Sequence, residues 1–463
     1  MWSWLSYMNP HRLSWGFAYS FPFAQVIAIV TLLALPFDRE PKRIPITAVT
    51  ILWGALILWI NLSTFTAEYR ELAMHEWDRT MKIMFTSVLT VALLTDQRKL
   101  HFFLWTVVLS LGFFGVKGGI FSLVGGGHDL VWGPPGSFFE GNNELGLVLT
   151  MSLPLMFYLT TIVERPLWRY ALFAMMGFTA LSVLGTHSRG ALLASSSMFG
   201  MLWLKGPHKL RTGLALLFCL PVLFFFMPSE WWERMATIGS FREDGSAMGR
   251  INAWGFAIAY ASDNPLTGGG FGVFSKELFL RYAPDPLDHH DAHSIYFEIL
   301  AEQGFAGLAI FLSLMLATYL QADHTQRLCR DNPRLEWARR LSSMIQVSLA
   351  GYAVGGAFLG LAYFDLYYHL IAIVIITNDL VKREIAQGTV EPAPSPPPEG
   401  NVNSRGRRAD KLPAPHPSCT SASLSSLFTV CCRRRIPFTA ARRRHRSSLR
   451  SAAPSRVFST WSP

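Results

Sequence analysis

The sequence predicts an all-α, polytopic membrane protein, and three observations lead there. Of its 463 residues, 51% are hydrophobic and only 16% are charged, whereas an average soluble domain is about 25% charged. The apolar residues gather in runs near the ~20 residues a helix needs to cross a ~30 Å hydrocarbon core. The formal net charge of +10 is also unevenly placed. From Lys382 onward there are 15 Lys/Arg against 4 Asp/Glu, which leaves 26 against 27 in the first 381 residues. The body is thus near neutral, and its composition excludes both a soluble single-domain enzyme and a nucleic-acid binder.

Eleven candidate spans follow in order: 15–36, 44–62, 81–95, 100–123, 144–163, 168–186, 190–204, 212–227, 305–321, 341–362 and 364–381. Lys and Arg concentrate on the cytoplasmic side of membrane proteins, so the loops between spans set the orientation. One set of loops holds Arg39/Lys42/Arg43, Arg98/Lys99, Arg165/Arg169, Lys205/Lys209/Arg211 and Arg327 to Arg340. The alternate set holds 124–143, which has no Lys or Arg, the short turn 187–190, and the long loop 228–293, with five bases against nine acids. This alternation places the long loop outside and the tail in the cytoplasm. It also places residues 1–14 outside, so an uncleaved first span is expected upstream of Met1.

Four regions result: N-terminal transmembrane helices over 1–227, a periplasmic loop with short amphipathic helices over 228–293, C-terminal transmembrane helices over 294–381, and a basic tail over 382–463. The Pro-, Ser- and Arg-rich tail cannot bury a core and is expected to be disordered. A surface anchor for anionic lipids and a frameshifted translation are the alternatives. The five cysteines, Cys219, Cys329, Cys419, Cys431 and Cys432, show no metal spacing and suggest no disulfide framework.

Four polar features stand on the outer side. GTHSRGALL (185–193) puts Arg189 beside small residues, where a guanidinium can face the bundle interior or snorkel to the interface. GRINAWGFAIAYASDNP (249–265) repeats Ile251, Trp254 and Ile258 at helical spacing, as a short helix lying on the membrane would. Arg250 opens it, and taken alone it reads as a solvated loop arginine. DHHDAHSIYFEILAEQGFAGL (288–308) carries His293, Tyr296, Glu298 and Glu302, with Glu298 and Glu302 on one helix face. Asp288, His289, His290, Asp291 and His293 are metal-ligand types, but no second cluster completes a shell, and no metal or cofactor is expected. VWGPPGSFFEGNNELG (131–146) offers Glu140, Asn142 and Asn143 as groove-lining polar groups or as a plain loop. Glycines 268–270 and 272 mark a turn.

Two arginines and a histidine on the outer side suit one kind of chemistry. Guanidinium forks match phosphate oxygens, and a neutral imidazole takes a proton near pH 7. Together they fit the joining of a lipid-diphosphate-linked glycan to a hydroxyl.

THSRGAL (186–192), Arg250 followed by Trp254, and HSIYFEILAEQGFAGL (293–308) resemble the O-antigen ligase/polymerase superfamily of bacterial membrane proteins. Over roughly residues 2–380 the sequence looks like the O-glycosylation ligases associated with exosortase systems, through stretches such as LSYMNPHRLSWGFAYSFPFA, GVKGGIFSLVGGG and SAMGRINAW. The resemblance implies about twelve transmembrane helices, of which eleven are found here, with a large outer loop. It implies an inner-membrane enzyme that transfers a glycan from undecaprenyl pyrophosphate to an acceptor hydroxyl on protein, lipid or glycan, without a metal. By motif position His293 is the base and Arg189 and Arg250 hold the diphosphate, while Glu140, Asn142, Asn143, Tyr296 and Glu298 are expected to touch substrate. A polysaccharide polymerase is the alternative within the class. A transporter or flippase of lipid-linked sugars is the alternative outside it, though a transporter places charge near the midplane and often shows inverted repeats, and no repeat is visible.

Overall fold

The computed structural model describes residues 1–37, 39–206, 209–210, 213–214, 227–236 and 245–388. All of them lie within one compact unit, Met1–Ala393. Most of the expected span 212–227, and the tail from residue 389, fall outside the described residues. Among the described residues there is no β-strand. Helices follow in the order α1 (Trp2–Met8), α2 (Phe17–Ser20), α3 (Phe23–Ala34), α4 (Ala48–Phe65), α5 (Arg70–Leu93), α6 (Gln97–Val124), α7 (Asn142–Ile162), α8 (Pro166–Gly185), α9 (Arg189–Lys205), α10 (Ser229–Ala236), α11 (Gly245–Asp263), α12 (Lys276–Tyr282), α13 (Ile295–Leu328), α14 (Glu336–Gly355) and α15 (Asp365–Gly388).

Among the described residues, six helical segments are long and apolar enough to cross a membrane: Ala48–Phe65, Gln97–Val124, Asn142–Ile162, Pro166–Gly185, Ile295–Leu328 and Pro333–Phe358. The other expected spans in the described chain are helices too, but each misses length or composition. The apolar stretch Phe23–Phe37 is short. The helix α5 carries Glu71, Glu76, Asp78, Arg79 and Lys82 ahead of its apolar half, α9 has 17 residues, and α15 carries Asp365, Asp379, Lys382 and Arg383.

Helix starts are set locally. The Thr47 hydroxyl accepts from Thr50 N while Thr50 answers at Thr47 N, a capping box that begins α4. Asp96 caps α6 by accepting from Lys99 N at 2.9 Å. Small residues then let helices meet closely. A Cβ on Gly115 would sit 2.2 Å from Thr179 Oγ1, and one on Gly119 2.2 Å from the Phe178 carbonyl. The pair α6/α8 is therefore backbone-close, and nothing larger than glycine fits there. The central helix α7 is buried along most of its length, and α15 is wholly buried from Asp365 to Ile376.

The longest helix, α13, breaks at Gly304, whose φ of +69° favours glycine. The carbonyls freed by the break, Ala301 and Glu302, each accept at 2.9 Å from Gly269 N and Gly270 N, and Phe305 N donates to the Pro265 carbonyl. A Cβ on Gly268 would lie 2.5 Å from the Ala301 carbonyl. The glycine turn 268–270 therefore serves as a backbone partner for a broken helix. Behind it, Ser63 donates to the Gln303 side chain, Gln303 donates to Tyr363 at 3.1 Å, and Tyr363 donates to Glu302 at 2.8 Å.

Candidate active site

The break in α13 and the starts of α5, α7 and α15 surround a cavity of about 480 Å³. Its wall includes His293, Glu298 and Glu302 at the start of α13, Glu144 at the start of α7, Glu76 and Arg79 on α5, and Asp291 from the loop. Phe138, Phe271, Phe274 and Phe364 supply its apolar surface.

His293 stands at the junction of loop and helix. Its φ is +42°, in the left-handed region that costs a non-glycine residue energy, and Ser294 follows as N-cap of α13. The histidine is half-buried. Burial first, and then the charge of Arg250, push its pKa below the usual 6.5, against the opposing pull of Asp291 and Glu144. The ring is therefore neutral near pH 7 and able to accept a proton.

The helix α11 sets the loop that carries His293. A Cβ on Gly249 would lie 2.5 Å from the His290 ring, so glycine leaves room for that ring. Asn252 donates to the carbonyls of Asp285 and Asp288 at 2.8 and 2.7 Å and accepts from Asp285 N at 2.7 Å. The Trp254 indole donates to the Ala292 carbonyl at 2.8 Å and stacks on Phe297 with centroids 4.9 Å apart. Each of these residues of the GRINAW stretch thus positions residues 285–293. The expected stripe of Ile251, Trp254 and Ile258 is split: both isoleucines are exposed, while Trp254 turns inward. The apolar face of α11, with Ala253, Phe256, Ala257 and Tyr260, packs on Val273, Leu278 and Phe279.

Arg189 is the first residue of α9, after Ser188, whose hydroxyl accepts from Ala191 N at 3.2 Å. It is half-buried and is not part of the cavity wall. Its neighbour Gly190 lies against Phe358, whose ring centroid is 6.5 Å from that of Trp254. Phe358 thus bridges the start of α9 and the helix of Arg250.

The other expected substrate contacts divide. Glu298 lines the cavity and accepts from Ala362 N at 3.3 Å. Tyr296 points away and donates to the Ala353 carbonyl at 2.6 Å, which ties α13 to α14. Glu140 is exposed and closes its own loop by accepting from Gly136 N at 2.7 Å. Asn142 is buried and donates to the Thr186 carbonyl at 2.8 Å, joining α7 to the turn before Arg189. Asn143 is half-buried in the first turn of α7. The residue that reaches the cavity from this stretch is Glu144, which the sequence reading did not single out. The same is true of Glu76 and Arg79.

The histidine-rich loop does not gather a metal shell. His289 donates to the Phe274 carbonyl at 3.0 Å, His290 pairs with Asp288 at 2.7 Å, and His293 turns to the cavity. Among the described residues no three His, Cys, Asp or Glu side chains converge as metal ligands.

A multi-helix membrane protein with a titratable, carboxylate-lined cavity at the helix ends is the class that fold and site define. Within it, residues 171–312 match the family described as O-antigen ligase, and residues 1–163 match a family of unknown function. The first match supports the O-antigen ligase superfamily and implies a membrane glycosyl-transfer enzyme of ligase or polymerase type. It spans Arg189, Arg250, His293 and Glu298, whereas Glu76, Arg79, Phe138 and Glu144 come from the second segment. No curated protein matches the chain.

Proposed function

We propose that the protein is a glycan ligase of the bacterial inner membrane, acting on its periplasmic face. The donor is a glycan on undecaprenyl pyrophosphate, and the acceptor is a hydroxyl. The observation that carries this reading is His293 on the wall of a substrate-sized cavity, its ring held toward the neutral form by burial and by the charge of Arg250, which itself lies off the cavity wall. Ligand pockets of ~300–1,000 Å³ are the usual size.

In the reaction the acceptor oxygen gives its proton to His293 and forms a bond to the anomeric carbon of the glycan. The bond from that carbon to the carrier diphosphate breaks, and the diphosphate leaves with the electron pair. Arg189 and Arg250 stabilise the charge that grows on it. The donor is already activated, so positioning, charge stabilisation and one proton transfer suffice. No metal is required in this scheme, and His289 and His290 already have other partners.

Topology supports the outer location. The helices α5, α7 and α13 all begin at the cavity, so their far ends carry the basic turns at 98–99, 165–169 and 327–340. By the charge rule those turns are cytoplasmic, and the cavity is on the opposite side. The test is transfer in reconstituted membranes from a lipid-diphosphate glycan. His293→Ala is expected to abolish it while the protein still inserts, and full activity of that variant removes the proposed base. Activity should survive a chelator; loss that zinc restores would favour a metal site instead.

A further inference from the structure

The cavity joins two parts of the chain, and the first of them, the segment matching a family of unknown function, contributes one permanent cation, Arg79. Its guanidinium carbon lies 3.4 Å from the centroid of the Phe138 ring. Stacking on an aromatic face fixes the plane of the fork and leaves its N–H donors at the rim. Among the described residues Arg79 donates no hydrogen bond, and the one carboxylate within 4 Å of it, Glu76, stands at 3.9 Å, beyond hydrogen-bond reach. A stacked arginine with unused donors on the wall that also holds His293 is a prepared anion receiver.

The carboxylates around it sharpen this role. Glu144, Asp291, Glu298 and Glu302 line the rest of the cavity. None of these side chains gives an anionic oxygen a counter-charge, which fixes register by leaving wrong placements unpaired. Among the described residues of the wall, Arg79 is the one arginine or lysine. A ligand with one anionic group and several hydroxyls therefore has one favoured orientation, with its anionic oxygens on Arg79 and its hydroxyls toward the carboxylates.

Resting on the reading of the protein as a lipid-diphosphate glycan ligase, we propose that Arg79 is a third substrate-binding arginine, which takes an anionic oxygen of the donor within the cavity of His293. That oxygen belongs to the carrier's sugar-proximal phosphate or to a carboxylate on the transferred sugar; both offer the same planar or tetrahedral oxygen pair to the fork.

Binding to the full chain in detergent or nanodiscs tests this without depending on turnover. Two probes are titrated, inorganic pyrophosphate and glucuronate, against the wild type, Arg79→Gln, Arg79→Lys, Phe138→Leu and Arg250→Gln. The expected result is pyrophosphate binding that weakens about tenfold or more in Arg79→Gln, with Arg79→Lys in between, because the charge remains but the fork is lost. Phe138→Leu keeps the guanidinium and removes its shelf, so it weakens binding too, and it serves if Arg79→Gln unfolds. Loss of glucuronate binding alone in Arg79→Gln supports the arginine and assigns its partner to a sugar carboxylate. Unchanged binding of both probes in Arg79→Gln and Phe138→Leu, with loss in Arg250→Gln, overturns the role of Arg79 and leaves the proposed function standing. A wild-type chain that binds neither probe overturns both.

Discussion

Two junctions in this chain are built alike and face different surroundings. At His187–Ser188–Arg189 and at His293–Ser294–Ile295, a histidine with positive φ, +50° and +42°, precedes a serine N-cap and a long helix. In the first, His187 is buried and its Nε2 donates to the Gly127 carbonyl at 2.8 Å, while Ser188 caps α9. In the second, the histidine is half-exposed on a cavity wall and Ser294 makes no side-chain cap. The left-handed residue turns the chain sharply into a helix in both places. Whether the imidazole is then a strut or a reagent depends on what faces it, a carbonyl or a cavity.

Exchanging the two histidines for alanine separates these roles most strongly. His293→Ala should lower transfer by at least about a hundredfold, the usual scale for a general base, with unchanged folding. His187→Ala should do the reverse. Leaving the buried Gly127 carbonyl unpaired costs about 1–3 kcal/mol, read as a lower unfolding midpoint, while transfer per folded molecule stays near wild type. A His187→Ala protein that is fully stable but inactive would move the chemistry to the first junction.

The support of the second junction comes next. Asn252→Ala removes three hydrogen bonds that fix residues 285 and 288, five to eight positions before His293. A displaced base loses rate steeply with distance, so transfer should fall about tenfold to a hundredfold. The loss should appear in the maximal rate, with donor affinity little changed. An equal rate in the variant would mean that the loop holds its place without the asparagine.

A smaller effect lies in the pH profile. The pKa of His293 is lowered by burial and then by Arg250, and the proposed reaction requires the neutral ring. Activity is therefore full at neutral pH and falls as the pH drops through a midpoint below 6.5. Arg250→Gln removes the largest of the charges that lower it, so the imidazolium becomes easier to form and the acid midpoint moves up toward 6.5. The variant should lose proportionally more activity at pH 6 than at pH 7.5, beyond its overall loss of donor binding. A midpoint that does not move would show that burial alone sets the histidine.

What the sequence discloses of all this follows physical lines. Long apolar runs are legible as helices because a chain in lipid must satisfy its backbone internally. The face shared by Glu298 and Glu302 is legible because residues four apart lie together on a helix. By the same spacing Tyr296, two residues from Glu298, points elsewhere, and it is found on the Ala353 carbonyl. Arg79 and Glu76 are not legible as site residues. They stand three apart inside a charged stretch, and nothing local connects them to a histidine more than two hundred positions away. Glycines 268–270 read as a turn; only the break at Gly304 explains why three small residues meet there.

The smallest effect falls on Glu140, and it tests the boundary between loop and site. The residue sits among the polar side chains expected to touch substrate, yet it is exposed and its carboxylate accepts from Gly136 N within the same loop. The Gly133 amide donates to its carbonyl at 2.8 Å, and that bond survives any change of side chain. Glu140→Gln keeps an acceptor for Gly136, so transfer and stability should both remain within about twofold of wild type, as at most surface positions. Glu144→Gln, four residues on, changes the charge of the cavity wall and should alter donor binding measurably. If instead Glu140→Gln disables transfer and Glu144→Gln does not, the loop must close over the cavity during the reaction and carry Glu140 to the substrate.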